Sequence, residues 1–480
     1  MAIITEITGL IREHLPVIAV VLVLVHLTRN YFTRGVSEVP GPFLARFSNL
    51  WRFIDVARGK AEETHLKLHQ KYGQYNLDAL KVIYGVNKGY TKTKFYEPQQ
   101  QLFNGNPTQT LFTTLDEDFH ARIKRPISSA YSMSTLTEFE VFVDKTIHTM
   151  IGRLDEFARD GRVCDMAIWL QYYAFDVIGE LTFGKPLGFL EQGKDISNIM
   201  LSLERNLDYA GMVGQMPWLD HLIVKNPIRR LMGGSATGAI AKFARECLDE
   251  RLERGDTKSE KPLRRDFLTR FLDAKVTHPQ VVTDRQVFSY TLSNVNAGSD
   301  TTAISLRAVL YYLLKNPVIM DKVCKEIEHA HSEGKFSIPV TWKESQELPY
   351  LDAVIKEALR LHPAVGLLLE RIVPEGGLQL PDGPFLPAGA VVGINPWVMH
   401  HSPIFGEDLD SFIPERWLQV ANETKQQYDS RKAEMLGATF TFGAGSRTCI
   451  GKNISLLEIY KAMPTLLYLF KAISVNQIVL

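Results

Sequence analysis

The chain has 480 residues, of which 45% are hydrophobic and 22% charged, an ordinary balance for a globular protein with a large core. Lys plus Arg and Asp plus Glu each total 54, so the formal net charge is zero, and no basic tail or face stands out, which argues against nucleic acid as the main partner. The four cysteines (Cys164, Cys247, Cys324, Cys449) are too far apart for a zinc knuckle or a Cys-x-x-Cys redox pair and fit a reducing compartment rather than a disulfide framework.

The N-terminus differs in kind. Val17 to Val25 is an unbroken apolar run, extended imperfectly by Ile11, Leu15 and Leu27 and interrupted by Arg12, Glu13 and His14. A full membrane span takes about 20 residues, and this run is shorter. No small-x-small cleavage site follows, which argues against a removed signal peptide. Residues 1–35 are therefore expected to form a membrane anchor with its flanks. Arg29 and Arg34, just after the run, keep the following chain cytosolic by the positive-inside rule. Val39-Pro40-Gly41-Pro42 reads as a stiff break before the globular body.

Beyond Pro42 the pattern is mainly helical. Apolar spacing predicts a helix over Phe139 to Phe157 ending near Gly161, and a longer one over Ile228 to Arg254. Arg254 to Arg265 is polar, contains Gly255 and Pro262, and reads as an exposed loop. A short amphipathic helix is expected over Asp266 to Ala274. A long helix follows from about Asp284 to Asn316 and stops at Pro317; another, Tyr350 to Leu361, stops before Pro363. Strands are few: a small hairpin around Pro381-Asp382-Gly383-Pro384, entered by Leu378-Gln379-Leu380, and a strand over Ala390 to Ile394. With no repeat and no internal linker, the expected fold is mainly α, one large helical body with a small β-rich lobe.

The strongest chemical signal is Phe442-Gly443-Ala444-Gly445-Ser446-Arg447-Thr448-Cys449-Ile450-Gly451, followed by an amphipathic helix through Leu456, Leu457, Ile459 and Tyr460. A cysteine at a helix N-terminus faces free N–H groups and the positive end of the dipole, which favours its thiolate. Gly445 and Gly451 allow close backbone approach to a flat cofactor. Arg447 can pair with a carboxylate. A lone cysteine is ordinarily a small buried hydrophobe; here the whole ten-residue pattern, Phe442 included, resembles the haem-binding loop of the cytochrome P-450 family.

That resemblance implies a haem-thiolate monooxygenase domain over residues 36–480, with haem b (iron protoporphyrin IX) as cofactor and Cys449 as the iron's proximal ligand. It implies further sites in the family's order. Ala297-Gly298-Ser299-Asp300-Thr301-Thr302 lies in the long helix. A glycine inside a helix costs about 1 kcal/mol relative to alanine, and a threonine hydroxyl can bond its own helix backbone and bend it. Together they open a groove for oxygen, and in the family Asp300 and Thr301 relay protons there. Glu357 and Arg360 are three apart, hence neighbours on one helix face; with Arg416 of Pro414-Glu415-Arg416-Trp417 they form a buried structural network in the family. His120, Lys124, Arg371 and Arg447 are the matches to propionate-binding positions, with Lys124 standing where the family has an arginine. Ala364 to Leu369 is nearly all apolar and corresponds to the wall of the substrate pocket, which suits a hydrophobic small molecule. Ala130-Tyr131-Ser132-Met133-Ser134 resembles fungal members of the pisatin demethylase type.

The resemblance covers roughly residues 36–470 and departs from the family twice. Only Gln74 to Leu77 separate Gly73 from Asp78, where the family has a strand pair, so an internal deletion is expected there. After the helix behind Cys449 only Lys471 to Leu480 remain, a short C-terminus. No flavin or nicotinamide fingerprint occurs, so electrons are expected from a separate NADPH-cytochrome P-450 reductase. The expected setting is the endoplasmic reticulum membrane, single-pass, with a cytosolic catalytic domain and a place in fungal secondary metabolism. Two alternatives stand beside this reading: a haem-thiolate isomerase or peroxygenase, and an inactive haem-binding product.

Overall fold

The computed structural model describes residues 2–33, 35–73, 77–226, 228, 238–253, 266–380 and 383–471. The N-terminal apolar run lies within one helix, α1 (Ala2–Tyr31), which continues through Pro16. Its segment His14–Tyr31, 18 residues of mean hydropathy 1.4, is long and apolar enough to cross a membrane, and Val20 to Val25 stand exposed along it. At about 1.5 Å per residue that segment approaches the thickness of a hydrocarbon core. Arg34 lies outside the described residues. A 3₁₀ turn (Phe43–Arg46) after the Pro-Gly-Pro break leads into α2 (Leu50–Ala57) and α3 (Ala61–Tyr72). α4 (Leu77–Ile83) follows; Gln74–Asn76, the place of the expected deletion, lie outside the described residues.

α5 (Glu117–Lys124) is capped by Asp116, whose side chain accepts the Phe119 N–H. α6 (Glu140–Asp160) buries Val143, Ile147, Met150 and Leu154 at spacings of three and four, and ends on Gly161 in the left-handed region. α7 (Met166–Phe183) has no counterpart in the periodicity. Every residue from Leu170 to Phe183 is buried, and a helix covered all round presents no apolar stripe to read. α8 (Ile199–Val213) follows, then α9 (Ala239–Glu253). The helix expected from Ile228 is thus described only from Ala239, apart from Ile228 itself; Pro227, residues 229–237 and the segment 254–265, expected to be a loop, lie outside the described residues. α10 (Phe267–Thr277), capped by Asp266, runs past its expected end at Ala274.

The single long helix expected over Asp284 to Asn316 is two helices, α11 (Asp284–Gly298) and α12 (Asp300–Lys315), parted at Ser299. Side-chain hydroxyls bond the helix's own carbonyls at this point: Ser299 to Val295 at 3.0 Å and Thr301 to Ala297 at 2.7 Å. Such bonds compete with the backbone ladder and bend helices. Pro317 opens α13 (Pro317–Ser332); α14 (Pro349–Leu361), α15 (Lys425–Ala438) and α16 (Lys452–Leu469) complete the framework. α12 is the central member, packed on α7, α14 and α16.

The strands are two residues long: β1 (Thr91–Lys92), β2 (Leu102–Phe103), β3 (Asn106–Pro107), β4 (Arg371–Ile372), β5 (Leu378–Gln379), β6 (Phe385–Leu386) and β7 (Val391–Val392). β4 lies between β1 and β7, antiparallel to both. β5 and β6 pair as the expected hairpin with Leu378 opposite Leu386; residues 381 and 382 between them lie outside the described residues. The strand expected over Ala390 to Ile394 is reduced to Val391–Val392. A large helical core and a smaller one under the strands, around Ile83, Tyr84, Val373, Leu386, Trp417 and Phe440, divide the body as expected. The Cys449 loop straddles their seam: Phe442 and Ile450 pack on the first core, Phe440 and Ala444 belong with the second.

Candidate active site

Cys449 stands in the turn before α16, not inside it; the helix starts at Lys452 with Gly451 as its N-cap. The Cys449 N–H donates to the Phe442 carbonyl at 2.9 Å, closing the loop. The sulfur accepts the N–H groups of Gly451 and Lys452. It is an exposed cysteine, yet burial is the largest influence on the thiol and pushes its pKa up; the two N–H groups and the ammoniums of Lys124 and Lys452 pull it down without prevailing. The two N–H groups act toward the thiolate, as expected at a helix start, and desolvation opposes and outweighs them. A thiol that is accessible and desolvated at once lines an internal hollow rather than the outer surface. A metal cation in that hollow would remove its proton, as coordination does for thiols.

The two glycines serve different ends. Gly445 has φ 68°, and a Cβ there would lie 1.7 Å from the Tyr84 carbonyl oxygen. Its missing side chain makes room for the neighbouring Tyr84 backbone. A Cβ at Gly451 would meet only the Cys449 sulfur, at 3.9 Å.

Ala297 and Thr301 are exposed although Ser299, Thr302 and Ala303 around them are buried, so one face of the α11–α12 junction also looks into open space. The junction is tied to the helix behind Cys449 by Thr302 and Ser455, whose hydroxyls are 3.2 Å apart. Gly298 does not open the groove expected of it: a Cβ there would strike Ile178 of α7 at 2.8 Å, so helix packing requires the glycine. Asp300 and Thr301 are consecutive but point to different neighbours. The Thr301 hydroxyl donates to Ala297, whereas Asp300 Oδ1 accepts from Gln171 Nε2 at 3.0 Å. Burial pushes the Asp300 carboxyl up, Arg307 draws it down, and Glu204 adds to the rise. Of the apolar stretch Ala364 to Leu369, Val365 is 37% exposed. Leu367 and Leu368 line a small cavity with Val56 and Phe95.

The cationic residues gather on the loop's other flank. Lys92 and Arg371, on paired strands β1 and β4, are 4% and 5% exposed, and no ion pair is present for either among the described residues. Lys92 donates to the Phe112 carbonyl and stands over the Tyr96 ring; Arg371 donates to the Tyr96 hydroxyl and the Glu370 carbonyl. Burial, then Arg447 and Arg371, push the Lys92 ammonium well below its ordinary pKa. His120 is pushed down to about 3 by burial, Arg447, Lys124 and Lys92. Lys124 donates to the Ser446 carbonyl at 2.8 Å, and burial and Arg447 lower it too. The expected role of Arg447 as a direct anion ligand needs correction: its Nε and Nη2 hold the Glu117 carboxylate at 2.8 and 2.9 Å. Glu370 is nearby but turned to Arg52 and Thr93. Of Lys92, Lys124, Arg371 and Arg447, only Arg447 is ion-paired among the described residues, with Glu117, and an uncompensated buried charge is costly. Lys92 escaped the sequence reading because a lysine in a two-residue strand carries no motif.

Below the loop, Glu357 of α14 receives Arg360 at 2.8 and 2.9 Å, Arg416 at 2.8 Å, the Trp417 indole at 2.9 Å and the Ile413 N–H at 3.1 Å. Arg360 also donates to the carbonyls of His400, Leu409 and Ser411. The two side chains of the helix pair are fully buried. His400, unremarked in the sequence, connects this network to the Cys449 loop.

An accessible thiol backed by two N–H groups, open space beside it and a buried cation surplus fit a haem, whose iron takes a thiolate and whose propionates are anions. The family model described as cytochrome P450 matches residues 53–477. A cytochrome P450 monooxygenase of Aspergillus terreus is 41% identical over 466 residues, spanning 94% of this chain and 92% of its own. Cytochrome P450 monooxygenase cicH of Emericella nidulans is 40% identical over 453 residues, 91% of this chain and 89% of its own. Monooxygenase pkfB of the same fungus is 37% identical over 474 residues, 95% and 90% of the two chains.

Proposed function

Because this chain belongs to the cytochrome P450 family of oxidoreductases, we propose that it is a haem b monooxygenase in which the Cys449 thiolate holds the iron. When bound, the haem supplies oxygen activation and the insertion of one oxygen atom of O₂ into the substrate. The chain's residues hold, shield and supply protons. Lys92, Arg371 and Lys124, with His120, would hold the propionates, while Arg447 braces the same wall through Glu117. The Thr301 hydroxyl donates its hydrogen bond to the Ala297 carbonyl, which leaves its oxygen free to accept one from the open side. Asp300 beside it is the proton source for that hydroxyl. Glu357, Arg360 and Arg416 are structural, bracing the core behind the loop.

The substrate is a hydrophobic small molecule held against Ala297, Val365 and Leu367. Electrons come from a separate NADPH-cytochrome P450 reductase. Residues 1–35 anchor the chain in the endoplasmic reticulum membrane, and residues 36–480 form the monooxygenase domain on the cytosolic side. The pathway is fungal secondary metabolism, in keeping with fungal relatives.

The observation that carries this reading is the Cys449 sulfur, accessible, desolvated and held by two backbone N–H groups. The test is the reduced, carbon-monoxide-bound spectrum of the expressed chain. A red-shifted thiolate-type band is expected in the wild type and none in Cys449→Ser. A band that persists in the variant removes Cys449 from the iron.

A further inference from the structure

Asp300 opens α12, and its carboxylate is met from α7. Gln171 Nε2 donates to Asp300 Oδ1 at 3.0 Å, and Gln171 Oε1 accepts from Arg307 Nη2 at 2.6 Å. Arg307 is seven residues beyond Asp300, two turns along the same helix face, and its Nε donates to the Ala167 carbonyl of α7 at 2.8 Å. The amide therefore has one possible orientation. Arg307 can only donate and an ionised Asp300 can only accept, so Gln171 must present its oxygen to one and its NH₂ to the other. Gln171 is 8% exposed, so water does not readily replace it.

We propose that Gln171 is a positioning residue for proton delivery: it holds the Asp300 carboxyl on the α7 side of the helix and, through Arg307, biases it toward the ionised form. This rests on the reading of Asp300 as the proton source. An amide N–H bonds a carboxylate more strongly than a carboxylic acid, so the contact opposes protonation, as does the positive charge of Arg307. Burial and Glu204 of α8 favour protonation, and Asp165 at the start of α7 weakens Arg307's influence by facing it. The proton held at Asp300 is thus set by a balance of burial, Arg307 and Glu204, to which Gln171 adds through its hydrogen bond rather than through charge.

The test compares wild type, Gln171→Met, which keeps the length and removes the hydrogen bonds, and Arg307→Met. The carbonyl stretch of protonated Asp300, identified by its loss in Asp300→Asn, is followed against pH by infrared difference spectroscopy on the full chain without substrate. Gln171→Met should raise the pH at which the band disappears by about one unit. Arg307→Met should move it the same way, with the carbon-monoxide band unchanged in both. The pH profile of product formation should shift upward in parallel while substrate binding is unaltered. An unmoved infrared titration in both variants, with the haem spectrum intact, overturns the proposal. A turnover rate in Asp300→Asn equal to wild type overturns instead the underlying assignment of Asp300, whatever Gln171 does.

Discussion

The Phe440 N–H donates to His400 Nε2 at 2.8 Å. The other ring nitrogen of His400, Nδ1, lies 2.9 Å from the Arg360 carbonyl. One imidazole thus joins the segment leading into the Cys449 loop to the Glu357–Arg360 network, and it does so only when neutral, since a protonated ring has no acceptor for Phe440.

Acid should therefore loosen this joint. Burial pushes the His400 pKa down to about 3, whereas an unfolded imidazole titrates near ~6.5. Between those values the unfolded chain binds a proton that the folded one refuses. His400's contribution is therefore complete above about 6.5 and is lost as pH falls toward the folded value, at up to ~1.4 kcal/mol per pH unit. His400→Gln can keep one acceptor and one donor without titrating. Denaturant unfolding at pH 7 and pH 5 should show a smaller pH loss in the variant than in wild type. Equal losses would exclude His400 as the source.

Lys92 should reveal itself by opposite effects on the empty and loaded protein. Without an anion it is a buried cation beside Arg371 and Arg447, so Lys92→Met should raise the melting temperature of the haem-free chain. With haem bound it gives a charge-assisted bond, worth about 1.5–3 kcal/mol, so the variant should lose haem roughly ten- to a hundredfold faster. Haem transfer to an apoprotein scavenger and calorimetry read the two effects. A variant less stable when empty and unchanged in haem retention would assign Lys92 a packing role alone.

Gly445 and Gly451 should respond differently to a methyl group. Gly445→Ala drives a Cβ into the Tyr84 carbonyl at 1.7 Å and holds alanine at φ 68°, so the chain should fail to fold or lose several kcal/mol. Gly451→Ala meets only the Cys449 sulfur at 3.9 Å and should cost about 1 kcal/mol or less. Soluble yield and thermal melting check this. A well-folded Gly445→Ala would show that the loop can move off Tyr84.

Much of the site was legible because its groups are neighbours in the chain. Phe442 to Gly451, Glu357 with Arg360, and Asp300 with Thr301 are spaced by bonds and helix turns, and such spacing is written in the residue order. The capped helices were legible for the same reason: Asp266, Gly161 and Pro317 act within a turn of themselves. α7 was not, since a helix buried on every side loses the contrast that periodicity needs.

Residue order alone settled the helical body and the placing of Glu357 and Arg360 on one helix face, because both follow from local propensity and short spacing; the roles of Cys449 and Arg416 were expectations from the family resemblance, and it is the fold that brings Arg416 to Glu357. The packed fold settled the rest: that Asp300 turns to Gln171, 129 residues away, that Arg447 is held by Glu117, that Lys92 joins the cation cluster, and that the Cys449 thiol is raised rather than lowered. Charge pairing and desolvation sum over whichever groups arrive from distant parts of the chain, and no stretch of sequence contains that sum.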